Sequence, residues 1–527
     1  MQASHAGSVV SARFDDPNLV SCSGLVPVLA LAASCGLSGL VGERLSLVAP
    51  GGVNAHMKVP ALVAGMVAGA DCIEDMDLLR HGGMGRVFGG VRAPSTLGTF
   101  LRAFTFGHVR QLDAVAATLL TRLAGRTPLL PAAGQIAFID IDDTIRATYG
   151  YAKQGAGYGY SKVKGINALL ATISTPAAAP VIVATRLRKG STNSARGAAR
   201  LVADALVTAA RCGVGGLVIL RADSAYYNHD VIAAAKRAGA RFSITARMDP
   251  AVRRGITTIP EAAWVPIHYP NAFWDEQEQR LISDAEVAEL GFTAFTSRPK
   301  REQVSARLIV RRVKRLNPAT VPAGQDELFA TYRHHAVFTD NPMPLLDAET
   351  CHRRHAIIEQ VIADLKSGPL AHLPSGSFAA NSAWLVLAAV AFNLTRAVGC
   401  LASPFHARAT GATIRRHLIT VPPGWPTPPA ASRCTYRPTG PGLMPAIGAG
   451  DWPKGWTEGL TTTPTVVSTA SNAMLTHRCD CGFAGLGCLT MLLVPIACRI
   501  SHGIGHTRFC SRTTLLRRMK SKSTSRQ

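Results

Sequence analysis

The segment Ile136-Ala-Phe-Ile-Asp-Ile-Asp-Asp-Thr144 decides the fold that we expect for this chain. Apolar residues fill its first half, so residues 135–142 are predicted to form a buried strand that ends in acidic side chains. Side chains alternate along a strand, which places Asp140 and Asp142 on one face and Asp143 on the other. Carboxylates at the end of a core strand are costly unless they bind a metal ion or accept several hydrogen bonds. The alternative for Asp142 is a turn or a helix cap at the strand end.

Two further carboxylates occupy comparable positions later in the chain. Asp223 ends the apolar run 217–223, and Glu359 lies within the helix-like segment 355–366. Asp223 lies 81 residues after Asp142, enough for a hairpin sheet, a crossover helix and a return strand, and Glu359 follows after another 136 residues. Two strand-end aspartates and one helix glutamate form a set of hard oxygen ligands that suits a pair of divalent cations. The alternatives are a helix cap for Asp223 and an exposed helix position for Glu359.

The composition of the chain points to a polyanionic partner. Its 527 residues carry a formal net charge of +23 with a pI near 10.0, which favours nucleic acid, or less often an anionic membrane surface, over a merely solvated basic surface. Hydrophobic residues make up 47% of the chain, so a large core can form. The twelve cysteines include no Cys-x2-Cys pair, which is typical of a reducing cytosol. No secretory signal is evident at the start, and Pro27 breaks the apolar stretch 24–41, which favours core helices over a membrane span.

Changes in sequence texture divide the chain into five regions. Apolar residues at helical spacing predict a helical N-terminal domain, whose basic face suits either DNA binding or contact with solvent. Alternating strand and helix signals, interrupted by a mainly strand-like segment, predict an α/β domain with a β-rich insertion. A basic, Pro-rich end without periodicity predicts a disordered C-terminal tail. The regions are the helical domain at 1–128, the first α/β part at 129–250, the insertion at 251–340, the second α/β part at 341–420 and the tail at 421–527.

Some helices in these regions are predicted in more detail. One helix is expected to run from Leu97 through Leu119, behind an N-cap at Ser95 or Thr96. In the second α/β part, helices are expected from residue 347 to about residue 368. The strongly apolar stretch 381–399 is expected to form a further helix.

A cluster of basic residues in the insertion is a candidate DNA contact. Arg311 and Arg312 lie with Arg307, Lys314 and Arg315 on a predicted strand. These side chains either follow the DNA backbone or protect a solvated edge strand from pairing.

Taken in order, the acidic segments resemble those of DDE-type insertion-sequence transposases with a ribonuclease H-like catalytic domain. Among these the chain is most similar to the insertion sequence 1380 family. The resemblance extends over about residues 14–420. It rests on the segments 140–144, 149–165, 221–226 and 352–359, together with Lys366.

This resemblance implies a role for each acidic residue. The first catalytic Asp of the superfamily stands two residues before a Thr or Ser, which selects Asp142 over Asp140. The second precedes a Ser and follows an Arg-Ala strand end, as Asp223 does. The third is the Glu of a helix motif that reads Tyr, two residues, Arg, three residues, Glu, six residues, Lys. Glu359 and Lys366 keep the last two places of that motif.

The motif departs from the family pattern at its first two places. His352 stands where Tyr is expected, and His355 stands where Arg is expected. A protonated His can still donate to a phosphate, and Arg353 and Arg354 are close enough to replace the lost charge.

The activity implied by the resemblance is cleavage of DNA followed by joining of its 3′-hydroxyl to a target. Two Mg²⁺ ions, or Mn²⁺ in their place, would be held by Asp142, Asp223 and Glu359, with Asp140 as a further candidate ligand. Lys366, Arg353, Arg354 and His355 would contact DNA, as would Arg311 and Arg312 of the insertion.

The expected partners are the element ends, target DNA and further copies of this chain assembled on DNA. Neither a membrane nor a small-molecule cofactor is expected, and the expected location is the cytoplasm, in association with the nucleoid. Two alternatives remain. One is a metal-dependent nuclease that does not join strands, and the other is an inactive DNA-binding remnant or regulator.

Overall fold

The computed structural model describes residues 2–4, 9–11, 18–149, 153–267, 273–275, 280–282, 285–314 and 332–421. These residues form a mixed α/β structure with one large sheet, as the sequence predicts. The tail predicted for residues 421–527 lies, apart from Val421, outside the described residues.

The N-terminal part of the chain is mainly helical, as predicted. Its elements are β1 (Gln2–Ser4), β2 (Val9–Ser11), α1 (Leu25–Ser34), α2 (Leu37–Arg44), α3 (Ala55–Ala68), α4 (Met84–Val87), α5 (Pro94–Arg102) and α6 (Phe106–Arg126). The prediction of one long helix capped by Ser95 or Thr96 is wrong, because α5 starts at Pro94 and a second helix follows it. Thr105 caps α6 reciprocally with His108, so a new helix begins where apolar spacing alone predicted continuity.

The centre of the chain forms half of the sheet. Its elements are β3 (Ile136–Ala147), β4 (Gly157–Tyr158), β5 (Lys164–Thr175), β6 (Ala178–Lys189), α7 (Ala198–Arg211), β7 (Leu217–Ala222), α8 (His229–Arg237) and β8 (Arg241–Thr245). The strands β3, β5 and β6 form an antiparallel meander. The helix α7 then crosses over to β7, which lies parallel to β3, and β8 lies parallel to β7.

The sequence did not predict β5, and burial explains why. All but the first of its residues are buried. A strand enclosed in this way lacks the alternation of apolar and polar residues by which half-buried strands are recognised.

The segment after β8 is mainly β, as its sequence indicates. Its elements are α9 (Pro250–Thr257), β9 (Val265–Ile267), β10 (Phe273–Asp275), β11 (Arg280–Ile282), β12 (Ala285–Ala294), β13 (Val304–Lys314) and β14 (Tyr332–Thr339). Because β14 pairs antiparallel with β8, this segment extends the sheet of the preceding strands. The strand order along the sheet is β4-β5-β3-β7-β8-β14-β13-β12-β9, and β6 also pairs with β5.

The remaining elements are helices. They are α10 (Leu345–Arg353), α11 (Ile357–Lys366), α12 (Phe378–Ala402), α13 (Pro404–Arg408) and α14 (Gly411–Ile414). The helices predicted for residues 347–368 are present as α10 and α11, which a 3₁₀ turn at Arg354–Ala356 separates. Glu359 lies in the first turn of α11.

The apolar helix α12 is the core of the helical layer. It packs against α3, α6 and β6. Asn393 of α12 accepts a hydrogen bond from the backbone N–H of Ile182 (2.8 Å) and donates one to its carbonyl (2.7 Å), which covers the edge strand β6. By length and composition α12 could cross a bilayer, and the bent pair α1–α2 passes the same test, but 89% of the apolar window of α12 is buried inside the fold.

Candidate active site

Strand pairing brings two of the predicted acidic residues to one end of the sheet. In the parallel ladder of β3 and β7, Asp140 lies opposite Arg221, and the last pair is Ile141 with Ala222. Asp142 and Asp223 are the next residues of the two strands. They therefore leave the ladder side by side.

Backbone hydrogen bonds fix one oxygen of each of these carboxylates. Asp142 Oδ1 accepts from the backbone N–H of Asp143 (2.7 Å), and Asp223 Oδ1 accepts from the backbone N–H of Ala225 (3.0 Å). The second bond caps the short 3₁₀ turn Ser224–Tyr226. The cap considered for Asp223 is thus present, although it serves this turn, and Asn228 caps α8 instead. Capping uses one oxygen and leaves the other for a further ligand.

Glu359 approaches the same end of the sheet from α11. It lies in the first turn of the helix, its side chain is exposed, and α11 packs against β3. The exposed helix position considered for Glu359 is therefore also observed. Its charge nevertheless reaches Asp142, because it contributes to raising the pKa of that carboxyl group.

The electrostatics of this group are unfavourable without a counter-charge. Burial raises the pKa of Asp142 from an ordinary value of 3.8 to about 7. The negative charges of Asp223, Asp143 and Glu359 add to this rise. Desolvation of its inner side, followed by the charge of Asp143, raises the pKa of Asp223, although the side chain as a whole is exposed.

The chemistry of the donor set suits a hard divalent cation, although the ligand atoms of the three carboxylates do not all lie within 4.8 Å of one another. Asp142, Asp223 and Glu359 offer carboxylate oxygens, which Mg²⁺ and Mn²⁺ prefer. Among the described residues none of the three forms an ion pair with Lys or Arg. A bound cation would relieve the repulsion that raises the pKa of Asp142. We call Asp142, Asp223 and Glu359 the carboxylate centre.

Asp140 has a different role from the one we predicted. Its side chain is 1% exposed, and both carboxylate oxygens accept hydrogen bonds from Arg221, at 2.7 Å each. The Arg221 guanidinium also stacks on the Phe138 ring and donates to the Cys351 carbonyl (2.8 Å). The bidentate ion pair occupies the carboxylate, so Asp140 is not a metal ligand here. It instead joins β3, β7 and α10 beneath the carboxylate centre.

The two histidines of the helix motif differ in their surroundings. His352 is buried, with Nδ1 3.0 Å from Ser243 Oγ and Nε2 2.9 Å from Thr245 Oγ1, so it fastens the end of α10 to β8. Burial, followed by the charges of His355 and Arg221, lowers the pKa of His352 to about 3.

His355 is half-buried and closer to the carboxylates. Its Nδ1 lies 2.7 Å from the carbonyl of His352, which makes Nδ1 the protonated nitrogen. Burial raises the pKa of both Asp223 and Asp140, and the charge of His355 opposes this rise in each case.

The predicted basic residues fall into two groups. Glu349 is buried and pairs with Arg353 (2.8 Å) and with Arg311 (3.7 Å), so both of these arginines are engaged within the fold. Arg354 is exposed and Lys366 is partly exposed. Lys366 lies seven residues after Glu359 on α11, which places the two side chains on one face of the helix.

The DNA contact predicted for Arg312 does not agree with the structure. Its side chain is 7% exposed, and its guanidinium is bonded to Glu261 and Glu286. It lies between the rings of Trp264 (4.3 Å) and Tyr332 (4.4 Å). Arg312 therefore stabilises the outer part of the sheet through ion pairs and cation–π contacts.

Sequence reasoning missed a second buried network, on the other face of β3. Asp143 Oδ2 accepts from Asn167 Nδ2 (2.9 Å) and from the Arg188 guanidinium. Arg188 is buried and also donates to Asn167 Oδ1 (2.8 Å) and to the carbonyls of Ser194 and Arg196. One signal could have revealed it, namely an arginine near the end of an otherwise apolar strand. The network holds the backbone that carries Asp142.

A further acidic group lies between α3 and α4, in the helical part of the chain. The ligand atoms of Asp71, Cys72 and Asp75 lie within 4.8 Å of one another. Asp75 Oδ2 accepts from the backbone N–H groups of Asp71 (3.1 Å) and Cys72 (3.3 Å). These bonds close the turn after α3, so the group has a structural explanation.

One aspartate within β3, one directly after the neighbouring strand β7 and a helix glutamate, on a mixed α/β sheet, are the arrangement expected of a DDE-type domain. Comparison with known families bears this out. Residues 2–422 match the family described as Transposase DDE domain group 1, and the chain belongs to that family. No curated protein matches the chain. The narrower similarity to the insertion sequence 1380 family stays a prediction.

Proposed function

We propose that this protein is a DNA transposase that cleaves the ends of an insertion sequence and joins them to target DNA by phosphoryl transfer at two divalent cations. One observation carries the proposal, namely that Asp142 and Asp223 leave adjacent parallel strands side by side while α11 carries Glu359 to the same strand. Membership of a DDE transposase family supports the same activity.

We infer that Asp142, Asp223 and Glu359 hold Mg²⁺, with Mn²⁺ as the alternative. Bound there, such cations activate an attacking oxygen and neutralise charge on the phosphate during transfer. Asp142 is the inner ligand, because it is partly buried, and Asp223 and Glu359 form an exposed rim. An open rim suits a substrate as large as DNA.

The remaining residues of the motif would bind DNA phosphates. Lys366 shares a helix face with Glu359, about 10 Å along the axis, and would hold a backbone phosphate beside the cations. Arg354 is exposed in the turn before α11, and His355 lies near Asp223, so both would act on the same strand. The net charge of +23 and the basic N-terminal helices would add attraction for the duplex.

The catalytic fold is proposed to be ribonuclease H-like. The order of elements between the two aspartates supports this proposal, since a three-stranded meander, a crossover helix and a return strand separate them. Assembly of several copies on DNA, and a location with the nucleoid, are proposed on the same grounds.

The test is a cleavage and joining assay with DNA from the two flanks of the gene. We expect the full chain with Mg²⁺ to produce strand breaks with free 3′-hydroxyl groups, and to join a pre-cleaved end to a second DNA. Asp223→Asn should abolish both reactions. Asp347→Asn, an exposed acid in the first turn of α10, is the matched control and should retain both.

Three results would count against the proposal. Cleavage without joining of a pre-cleaved end would favour a nuclease. Binding without cleavage would favour a DNA-binding remnant. Equal cleavage by the parent and by Asp223→Asn would remove the carboxylate centre from the reaction.

A further inference from the structure

A buried tyrosine lies three residues after Asp223 of the carboxylate centre. Tyr226 ends the 3₁₀ turn that Asp223 caps, and its side chain is 0% exposed. Among the residues that the structure describes, its hydroxyl has no hydrogen-bond partner. A buried hydroxyl is normally bonded, so an unpaired one beside a proposed ligand site requires an explanation.

The surroundings of this hydroxyl are acidic. Burial raises the pKa of Tyr226 well above its usual range, and the charges of Asp143, Asp142 and Asp223 raise it further. The hydroxyl therefore stays protonated and is available as a hydrogen-bond donor. The charge of Arg188 acts in the opposite direction, and within the described part of the chain the hydroxyl is bonded to none of these groups.

Several of the nearby acceptors are already engaged. Asp143 Oδ2 takes bonds from Arg188 and Asn167, and one oxygen each of Asp142 and Asp223 takes a backbone N–H. Among the described residues, the Tyr226 hydroxyl has no hydrogen-bond acceptor at the carboxylate centre. Oxygens that a divalent cation gathers around itself would supply one.

The adjacent tyrosine shows that this environment is specific to one position. The ring of Tyr227 packs against Phe295 (5.3 Å between centroids) and Phe338 (6.0 Å), in an aromatic cluster under the sheet. Tyr227 is 9% exposed. Asp249 is the one carboxylate that contributes to its raised pKa, and Asp249 caps α9. Neighbouring tyrosines thus have different partners.

We propose that Tyr226 is a positioning residue of the carboxylate centre, and that its hydroxyl donates a hydrogen bond to an oxygen of the first coordination sphere when a divalent cation is bound. This inference rests on the cation site of the proposed function. In the cation-free protein the hydroxyl only adds an unpaired polar group to the core. Tyr226 should therefore oppose folding without cations and favour the cation-bound state.

Thermal unfolding of the full chain, with and without Mg²⁺, tests whether Tyr226 destabilises the cation-free protein and stabilises the cation-bound protein. In EDTA we expect Tyr226→Phe to melt at or above the temperature of the parent, because the substitution removes only an unpaired hydroxyl. The Mg²⁺ concentration at half-maximal stabilisation should rise about tenfold or more, as for other residues that orient metal ligands. Tyr227→Phe is the matched control and should leave that midpoint unchanged. The electron paramagnetic resonance titration of bound Mn²⁺ should report the same ranking.

The outcomes separate this inference from the function on which it rests. A Tyr226→Phe protein that melts lower in EDTA and keeps the parent Mg²⁺ midpoint would show that Tyr226 is a packing residue and overturn the inference. Asp223→Asn serves as the reference variant. If it raises the Mg²⁺ midpoint and Tyr226→Phe does not, the inference alone fails. If Asp223→Asn also leaves the midpoint unchanged, the cation site itself fails.

Discussion

Asp140 and Asp142 lie two residues apart on the same face of β3, yet they have opposite surroundings. Asp140 is buried with both oxygens bonded to Arg221. Asp142 accepts one backbone N–H, and burial, together with the charges of neighbouring acids, raises its pKa to about 7. The first carboxylate has a counter-charge within the fold, and the second forms no ion pair with Lys or Arg among the described residues. The difference separates an acid that the fold pairs from one that we propose to bind cations.

Two histidines just before α11, His352 at the end of α10 and His355 in the following turn, also differ in how fully their side chains are hydrogen-bonded. His352 has hydroxyl partners at both ring nitrogens, whereas His355 uses one nitrogen on a carbonyl and lies towards Asp223. In both cases the fully bonded residue holds two elements together, and the partly bonded residue faces the site. Buried polar groups must be satisfied, so an incompletely satisfied group marks a place where a ligand is expected.

The largest effect is expected when the structural member of the acidic pair loses its partner. Arg221→Leu leaves Asp140 buried without a counter-charge and should reduce the free energy of unfolding by about 3–5 kcal/mol. Chemical denaturation of the parent and the variant measures this change. Arg200→Leu, an 80% exposed arginine paired with Asp204, is the control and should cost less than about 0.5 kcal/mol.

A double substitution sharpens that comparison. Replacing Asp140 and Arg221 together by leucines removes both charges, so it should restore much of the stability that the single substitution loses. Equal losses for Arg221→Leu and Arg200→Leu would contradict a structural role for the pair.

Removing the charge of Asp142 should instead stabilise the protein when cations are absent. The folded-state pKa of Asp142 lies above the ordinary value of 3.8, so the contribution of this carboxyl group to stability falls as pH rises from about 4 to about 7. Asp142→Asn keeps an acceptor for the Asp143 N–H and removes the charge. In EDTA at pH 8 the variant should be more stable than the parent by roughly 2 kcal/mol.

Melting temperatures recorded against pH, in EDTA and in Mg²⁺, measure this effect. The Asn variant should lose less stability than the parent between pH 4 and pH 7, because Asp223 still has a raised pKa, and Mg²⁺ should no longer stabilise it. Asp347→Asn should reproduce the parent at every pH. A destabilised Asp142→Asn protein at pH 8 would mean that Asp142 is held by the fold in the same way as Asp140.

Sequence alone predicted the α/β class and the elements that carry Asp142, Asp223 and Glu359, because apolar runs and helix spacing are local signals. The strand end predicted at Asp142 is wrong, since β3 continues to Ala147. Strand alternation did not separate Asp140 from Asp142, since both stand on one face, and only the family resemblance selected Asp142. In the structure the partner across the ladder, Arg221, distinguishes them. Chain position did not reveal that partner. The same reason explains the missed network of Arg188 with Asp143, whose members come from three strands.

A smaller loss of stability is expected at the motif histidine that joins α10 to β8. His352→Leu leaves the hydroxyls of Ser243 and Thr245 without their partner and should cost about 1–2 kcal/mol at pH 7.5. His355→Leu breaks one bond to a carbonyl and should cost less than about 1 kcal/mol. Equilibrium unfolding in urea measures both losses.

Acid unfolding tests the same pair in a second way. The pKa of His352 is lowered from 6.5 to about 3 in the folded chain, so protonation of His352 favours unfolding, and its contribution to stability falls as pH drops through that range. His352→Leu should remove this contribution, whereas His355→Leu should reduce it by less, because burial is the larger cause of the lowered pKa. Equal acid sensitivity of the parent and His352→Leu would contradict the buried neutral state of His352.

The smallest change in stability, with the clearest change in DNA binding, is expected at Lys366. Lys366→Gln alters a partly exposed side chain and should change the free energy of unfolding by less than about 0.5 kcal/mol. If Lys366 holds a phosphate, the slope of log affinity against log salt should fall by about 1. Arg312→Gln removes an equal charge that is already bonded to Glu261 and Glu286, so it should lower stability and leave that slope unchanged. A salt slope that falls for Arg312→Gln and not for Lys366→Gln would reverse the assignment, because a paired, buried guanidinium would then have to leave its carboxylates to reach DNA.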